Sequence, residues 1–244
     1  MSENPEVTYH FNEGEVLLFD KPINWTSFDL VRKVRAAIKR HLNTKKIKVG
    51  HAGTLDPRAT GLLIVCTGKK TKAIESFQSF DKEYIAGLYL GATTPSFDRE
   101  TRVDKEYPNE HITRDLLEET LKGFIGVQEQ IPPVYSAKKI NGQRAYKKAR
   151  KGIDVEIKPS VIEIKELEVL KFDLPELILR VKCGKGTYIR ALARDIGERL
   201  NSGAYLTSLR RTGIGDFRVE DAMTVNDFKA QLEKESLIED LKEE

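Results

Sequence analysis

A chain of 244 residues with 39% hydrophobic and 32% charged side chains carries enough apolar surface to bury a core, which points to a soluble globular protein rather than a disordered or membrane one. No apolar run reaches the length of a membrane span and no basic-then-apolar leader opens the chain, so the expected location is cytoplasmic. Cys66 and Cys183 each sit inside an apolar run and read as reduced core thiols, while four scattered histidines give no ligand spacing; neither metal nor cofactor is expected.

The net charge is only +3, but it is unevenly placed. Arg32 to Lys48 holds eight Lys/Arg and no acid, Lys138 to Lys151 holds seven and no acid, and Lys229 to Glu244 sets six acids against three lysines. Two acid-free basic segments on a nearly neutral body are the footprint expected of a polyanion binder, with solvated helix faces as the competing explanation.

In chain order, a polar arm over residues 1–13 leads to a short strand, Gly14 to Asp20, and then to the segment KPINWTS. Thr26 or Ser27 caps a helix in which Val31, Val34, Ile38 and Leu42 recur at helical spacing and the basic residues occupy the other faces. A loop dense in Gly, Thr, Ala and Pro follows, GHAGTLDPRATG (Gly50 to Gly61), and then the apolar run LLIVCTG, a buried strand. Lys69 to Phe80 suggests a helix and Lys82 to Gly91 a strand. The polar stretch from Ala92 to His111 is long for a connection and reads as a functional or mobile loop. Ile112 to Phe124 returns to helical spacing, Ile131 to Lys139 is extended because its paired prolines exclude helix, and a basic helix, NGQRAYKKARKG, is expected next. Val161 to Phe172 and Leu177 to Cys183 form paired strands turned at Asp173 to Pro175. Thr187 opens a last amphipathic helix striped by Ile189, Leu192, Ala193, Ile196 and Leu200, and AYLTSLRRTGIGDF is the final strand. Helices mixed with strands in hairpin-like order indicate the α+β class.

The loop Gly50 to Gly61 holds one carboxylate, Asp56, which Pro57 biases toward extended geometry on an otherwise permissive backbone. Alone, Asp-Pro is a common turn opener. The block GHAGTLDPRATGLLIVCTGKKTK, however, resembles the signature of the TruB family of tRNA pseudouridine synthases, in which the Asp is the catalytic residue. The resemblance runs from about Val16 to Phe217. It implies the pseudouridine synthase fold, a long mixed and mainly antiparallel sheet with flanking helices and a central cleft. The expected catalytic domain is 14–218, with an RNA-binding insertion around 131–152. Residues 219–244 are expected to be a short acidic tail in place of the PUA domain that family members commonly carry. Asn24 stands where the family has Gly, a mild departure because Asn tolerates the left-handed region.

Further residues follow from the resemblance. In GKGTYIRALARD, Arg190 matches the Arg that pairs with the catalytic Asp; in DKEY, Tyr84 matches the ring that stacks on the extruded uracil. His51 matches a His that fills the space of the flipped base, and Lys72, Tyr188 and Leu209 match pocket-lining positions. Asp98 aligns with a loop Asp tied to the active-site region, although its flanking TP-SFD departs from the usual spacing. Lys21 opens the KPINWTS segment and joins the substrate-binding set, as do Lys147 and Lys148 of the basic helix.

The implied reaction breaks the uridine N1–C1′ bond, turns the uracil, joins C5 to C1′ and removes the C5 proton, with no redox change. A carboxylate can attack sugar or base, or stabilise charge developing at C1′, and the sequence leaves these routes open. The expected substrate is uridine 55 in the T-loop of tRNA, read mainly by shape on the T-arm, by a monomer without an obligatory protein partner. A non-catalytic tRNA-folding factor using the same cleft is the alternative. An aspartyl phosphohydrolase would need a further acid for magnesium, which Asp-Pro-Arg does not supply.

Overall fold

The computed structural model describes residues 8–133, 139–140, 143–144 and 157–243. The chain divides into two compact units, the first made of Met1–Phe80 and Arg211–Glu244, the second of Asp81–Arg210.

In the first unit, β1 (Val16–Lys21) enters α1 (Ser27–His41) through the KPINWT segment. Thr26 is the N-cap: its hydroxyl accepts from the Asp29 amide while Asp29 caps back, the reciprocal box that satisfies two otherwise orphaned donors. β2 (Val49–His51) and β3 (Ala59–Thr67) pair antiparallel on either side of the Asp56 loop, and β1 pairs β3 antiparallel with Lys21 opposite Gly61. Burial explains why β3 reads as continuous apolar sequence. Leu63 and Val65 pack with α1, Phe19 and Phe228, whereas Leu62, Ile64 and Cys66 pack on the other face with Ile214 and Val219. A 3-10 turn (Gly68–Ala73) and the short helix α2 (Ile74–Ser79) replace the single helix expected over 69–80.

The second unit is built on β4 (Lys82–Leu90), with β5 (Ala92–Thr93), β6 (Lys105–Glu106), α3 (Arg114–Lys122), β7 (Gly126–Gln130) and the small pair β8 (Lys139–Ile140) and β9 (Gln143–Arg144) following it. The strands β10 (Ser160–Asp173) and β11 (Glu176–Cys183) form the expected hairpin, and the order β4-β11-β10-β7 is antiparallel throughout. Helix α4 (Ile189–Arg199) carries the apolar stripe read from the sequence, all five members of which are buried. The strand β12 (Ala204–Ile214) begins in the second unit and ends in the first, where β13 (Phe217–Arg218) turns back on it. The class is α+β.

Two expectations change here. The acidic end of the chain is not a loose tail: α5 (Val225–Glu243) sets Val225, Phe228 and Leu232 into the core of the first unit, with Phe228 edge-on to Tyr9, Phe11 and Phe19. Of the acids counted there, Glu233 is exposed, whereas Glu235 is half-buried with its carboxylate 3.5 Å from His41 Nε2. The basic helix expected from Asn141 does not start there, since Gln143–Arg144 pair as a strand with Lys139–Ile140. Lys147 and Lys148 lie outside the described residues. No described helix is long and apolar enough to cross a membrane.

Candidate active site

The Asp56 loop is strapped down from the KPINWTS segment. The Ser27 hydroxyl, buried at the first turn of α1, accepts from the Leu55 amide at 2.9 Å and donates to the Leu55 carbonyl at 3.3 Å. The Asn24 amide donates to the Pro57 carbonyl at 2.8 Å, and the Ala59 amide closes a turn onto the Asp56 carbonyl at 3.0 Å. Asn24 makes this contact at φ 66°, the left-handed backbone anticipated for the position where the family has Gly. The backbone on both sides of Asp56 is therefore fixed by hydrogen bonds, and its carboxylate is half-buried.

Two buried cations underlie this loop. Lys21 is fully buried and gives its ammonium to the Pro22 and Trp25 carbonyls at 2.9 and 2.7 Å. Burial lowers its pKa to about 8, partly opposed by attraction to Asp56 and reinforced by repulsion from Arg211. Arg211, also fully buried, donates from Nε to the Leu62 carbonyl at 2.8 Å and from Nη2 to the Gly53 carbonyl at 3.1 Å. It thereby ties the loop to β3. Gly61, at φ 104°, lies so close to the Arg211 backbone that a Cβ would overlap the Arg211 carbonyl. His51, at the end of β2, has its pKa lowered by burial first and by Arg211 second, which favours the neutral imidazole.

In the second unit, Arg190 is the second residue of α4 and is buried. Its Nη1 donates to the Ser96 carbonyl at 3.3 Å and its Nε lies 3.7 Å from Asp98 Oδ2. The Asp98 carboxylate is held in turn by the Ser96 hydroxyl at 2.6 Å and the Glu100 amide at 2.8 Å. Tyr188 is fixed through its backbone, its amide donating to Gln130 Oε1 at 2.9 Å while Gln130 Nε2 returns a bond to its carbonyl at 3.1 Å. Tyr84 is a mostly buried residue of β4, and Leu209 is half-buried on β12.

The structure thus gathers Lys21, His51 and Asp56 in the first unit, and Asp98 and Arg190 in the second. Lys72 is exposed on the wall of a basic cavity. The Lys21 ammonium is turned onto backbone carbonyls and the residue has no exposed surface, and the Asp98 carboxylate is buried against Arg190. The stretch around Asp98 is also no mobile loop, because Thr94, Ser96 and Thr101 side chains cross-link it and the Leu206 amide binds the Phe97 carbonyl at 2.9 Å. Sequence reading missed Ser27 as a loop anchor, Gln130 and Arg211. The available signal for Arg211 was a charged residue inside an otherwise apolar strand pattern. Among the described residues, no three His, Cys, Asp or Glu side chains converge to hold a metal.

The chain matches two family profiles that together cover residues 39–243: "TruB family pseudouridylate synthase (N terminal domain)" over 39–189, and "tRNA pseudouridylate synthase B C-terminal domain" over 190–243. It is 61% identical to the tRNA pseudouridine synthase B of Phocaeicola vulgatus, over 96% of this chain and the whole of that protein. The chain belongs to the TruB family. It is 50% identical to the tRNA pseudouridine synthase B of Flavobacterium johnsoniae, over 91% of this chain and 97% of that one. Among solved structures it is similar to a chain of the "Cbf5-Nop10-Gar1 Complex", with TM-score 0.67 and 28% identity over 94% of this chain; it spans 60% of that longer chain. TruB membership makes the chain a pseudouridine synthase, and the N-terminal family profile spans the strapped Asp56 loop.

Proposed function

We propose that this chain isomerises uridine to pseudouridine in tRNA, at position 55 of the T-loop, with Asp56 as the catalytic carboxylate. One observation carries the reading: a half-buried aspartate whose flanking backbone is hydrogen-bonded from Ser27 and Asn24, beside two buried cations, in a chain of the TruB family. Such a loop holds a charged group in one place, as nucleophilic or electrostatic assistance at C1′ requires. Arg190 is proposed as the cation that keeps Asp56 ionised, with Asp98 and Ser96 fixing the guanidinium. Tyr84 is proposed to stack on the extruded uracil, with His51 filling the space it leaves. The atoms balance within the substrate: the glycosidic bond moves from N1 to C5, the C5 proton leaves, and N1 acquires one.

The test is pseudouridine mapping on unmodified tRNA transcripts incubated with the purified protein and EDTA. Conversion at the T-loop uridine, lost in Asp56→Asn, is the expected result. An unconverted transcript, or conversion that stops on chelation and returns with a metal, overturns the reading.

A further inference from the structure

Arg190 takes its place from the first turn of α4, and that turn does not cap itself. Its N-cap residue is Tyr188, whose side chain makes no capping bond, where Ser, Thr, Asp or Asn would ordinarily supply one. Gln130, the last residue of β7 and 58 positions earlier in the chain, serves the same turn from outside. It is buried, and its carboxamide bonds both backbone groups of Tyr188: Oε1 accepts from the amide at 2.9 Å and Nε2 donates to the carbonyl at 3.1 Å. That carbonyl also accepts from the Leu192 amide at 3.0 Å, the opening bond of the helix. The Gln130 side chain therefore sets the direction in which α4 starts, two residues ahead of Arg190.

A second contact, one helical turn further on, braces the same junction. Arg194 lies on the face of α4 that Arg190 occupies and donates from Nη2 to the Ile131 carbonyl at 3.2 Å, next to Gln130. Its guanidinium carbon stands 4.9 Å from the centre of the Phe97 ring. Phe97 sits between Ser96 and Asp98, the two residues that hold Arg190, and takes a left-handed backbone, φ 61°, which a large side chain adopts only where its surroundings impose it. The end of β7, the start of α4 and the Asp98 turn are thus tied together around Arg190.

We propose that Gln130 is a positioning residue for the isomerisation: too buried to meet RNA, it places Arg190 through the Tyr188 backbone, with Arg194 as the second brace. The inference rests on the role proposed above for Arg190. A carboxamide suits the task because it offers an acceptor and a donor without charge, so it grips an amide and a carbonyl at once and adds no charge near the Asp98–Arg190 pair. Bonds that merely tied β7 to α4 would, when lost, lower stability alone. A positioning role puts the loss in the chemical step as well.

The test compares the full chain with its Gln130→Met form, which keeps the length of the side chain and removes both bonds. Gln130→Glu, closer still in shape but without the donor when ionised, takes its place if the Met form does not fold. Three readouts are taken: the single-turnover rate of pseudouridine formation on a T-arm hairpin RNA at saturating protein, the hairpin Kd, and the Nε–H resonance of Arg190 in 15N-arginine-labelled protein, assigned by its loss in Arg190→Met. The rate should fall about tenfold or more, the Kd should stay within about twofold, and the Arg190 resonance should move. Arg194→Met should give the same signature, with a smaller loss of rate. An unchanged rate in the folded variant overturns the proposal, as does a weakened Kd with the rate at saturation intact, or an Arg190 resonance that stays in place. Failure of the unsubstituted protein to convert the hairpin refutes the proposed function instead, and the resonance still decides whether Gln130 positions Arg190.

Discussion

Replacing Ser27 by Ala removes one oxygen and should disable the enzyme from a distance. The hydroxyl both accepts from the Leu55 amide and donates to the Leu55 carbonyl, and Ser27 and Leu55 are 2% and 3% exposed, so water cannot readily take its place. An unsatisfied buried backbone group costs about 1–3 kcal/mol, and the 3.3 Å bond is the weaker of the two, so the expected destabilisation is about 2–4 kcal/mol. For a chain of this size that lowers Tm by roughly 5–15 °C. Asp56 follows Leu55 directly, and a shift of about 1 Å in a reacting group can cost about 100-fold in rate, so kcat should fall about 10- to 100-fold. Denaturant unfolding and single-turnover pseudouridine formation on a T-arm hairpin provide the two measurements. Thr26→Ala is the matched control: it removes the exposed cap, costs about 1 kcal/mol, and should leave kcat near wild type. An unfolding free energy for Ser27→Ala within about 0.5 kcal/mol of wild type, the usual range of an uncoupled surface change, would refute the strapping argument. So would lost stability without lost turnover.

Asp56→Asn should abolish conversion while hairpin affinity changes little, because the neutral isostere keeps the loop's shape; wild-type-like turnover would remove Asp56 from the mechanism. Asp98→Ala removes the buried carboxylate 3.7 Å from Arg190 Nε and the acceptor of the Ser96 hydroxyl and the Glu100 amide, so it should cost about 1–3 kcal/mol and also reduce kcat; stable protein with full activity would show that the Asp98 carboxylate does not orient Arg190. Lys21 should make stability depend on pH in the alkaline range. Its folded pKa, lowered to about 8, lies below the unfolded value near 10.5, so burying the charged form penalises the fold fully below pH about 8, and the penalty lifts as pH rises through the window between them. Wild type should therefore gain on Lys21→Met by up to about 3 kcal/mol between pH about 8 and 10.5, and a pH-independent difference would show that the two carbonyl bonds hold the ammonium at its ordinary pKa.

The elements were legible in the sequence wherever periodicity alone sets them. The α1 and α4 stripes, the buried run of β3 and the β10–β11 hairpin all follow from which faces meet a core. The Asp-Pro loop was legible as a loop, because Gly, Thr, Ala and Pro supply few side chains able to pack a core; its reading as a site came from the resemblance. The end of the chain was misread because acids and lysines dominate its composition. Three apolar residues at the right spacing still fix α5 to the core, and a count of charges does not register spacing.

What stayed hidden was burial. Lys21, Asp98 and Arg190 were named from the resemblance and Arg211 was not, and none of the four was expected to be buried, because charged residues are otherwise assigned to solvent or to a ligand. Their partners are backbone carbonyls and a neighbouring charge, contributed by segments far apart in sequence: Arg211 meets Leu62 and Gly53, and Arg190 meets Ser96 and Asp98. No local pattern encodes a carbonyl that becomes available only after the strand has folded. A buried charge held by two carbonyls fixes the position of the backbone supplying them, since moving that backbone would leave the charge unsolvated. A catalytic loop built largely of Gly, Thr, Ala and Pro has few side chains with which to hold itself, so its rigidity comes from such buried groups beneath it. Substitution of Lys21 or Arg211, the two buried cations beneath the Asp56 loop, should therefore change kcat and stability together.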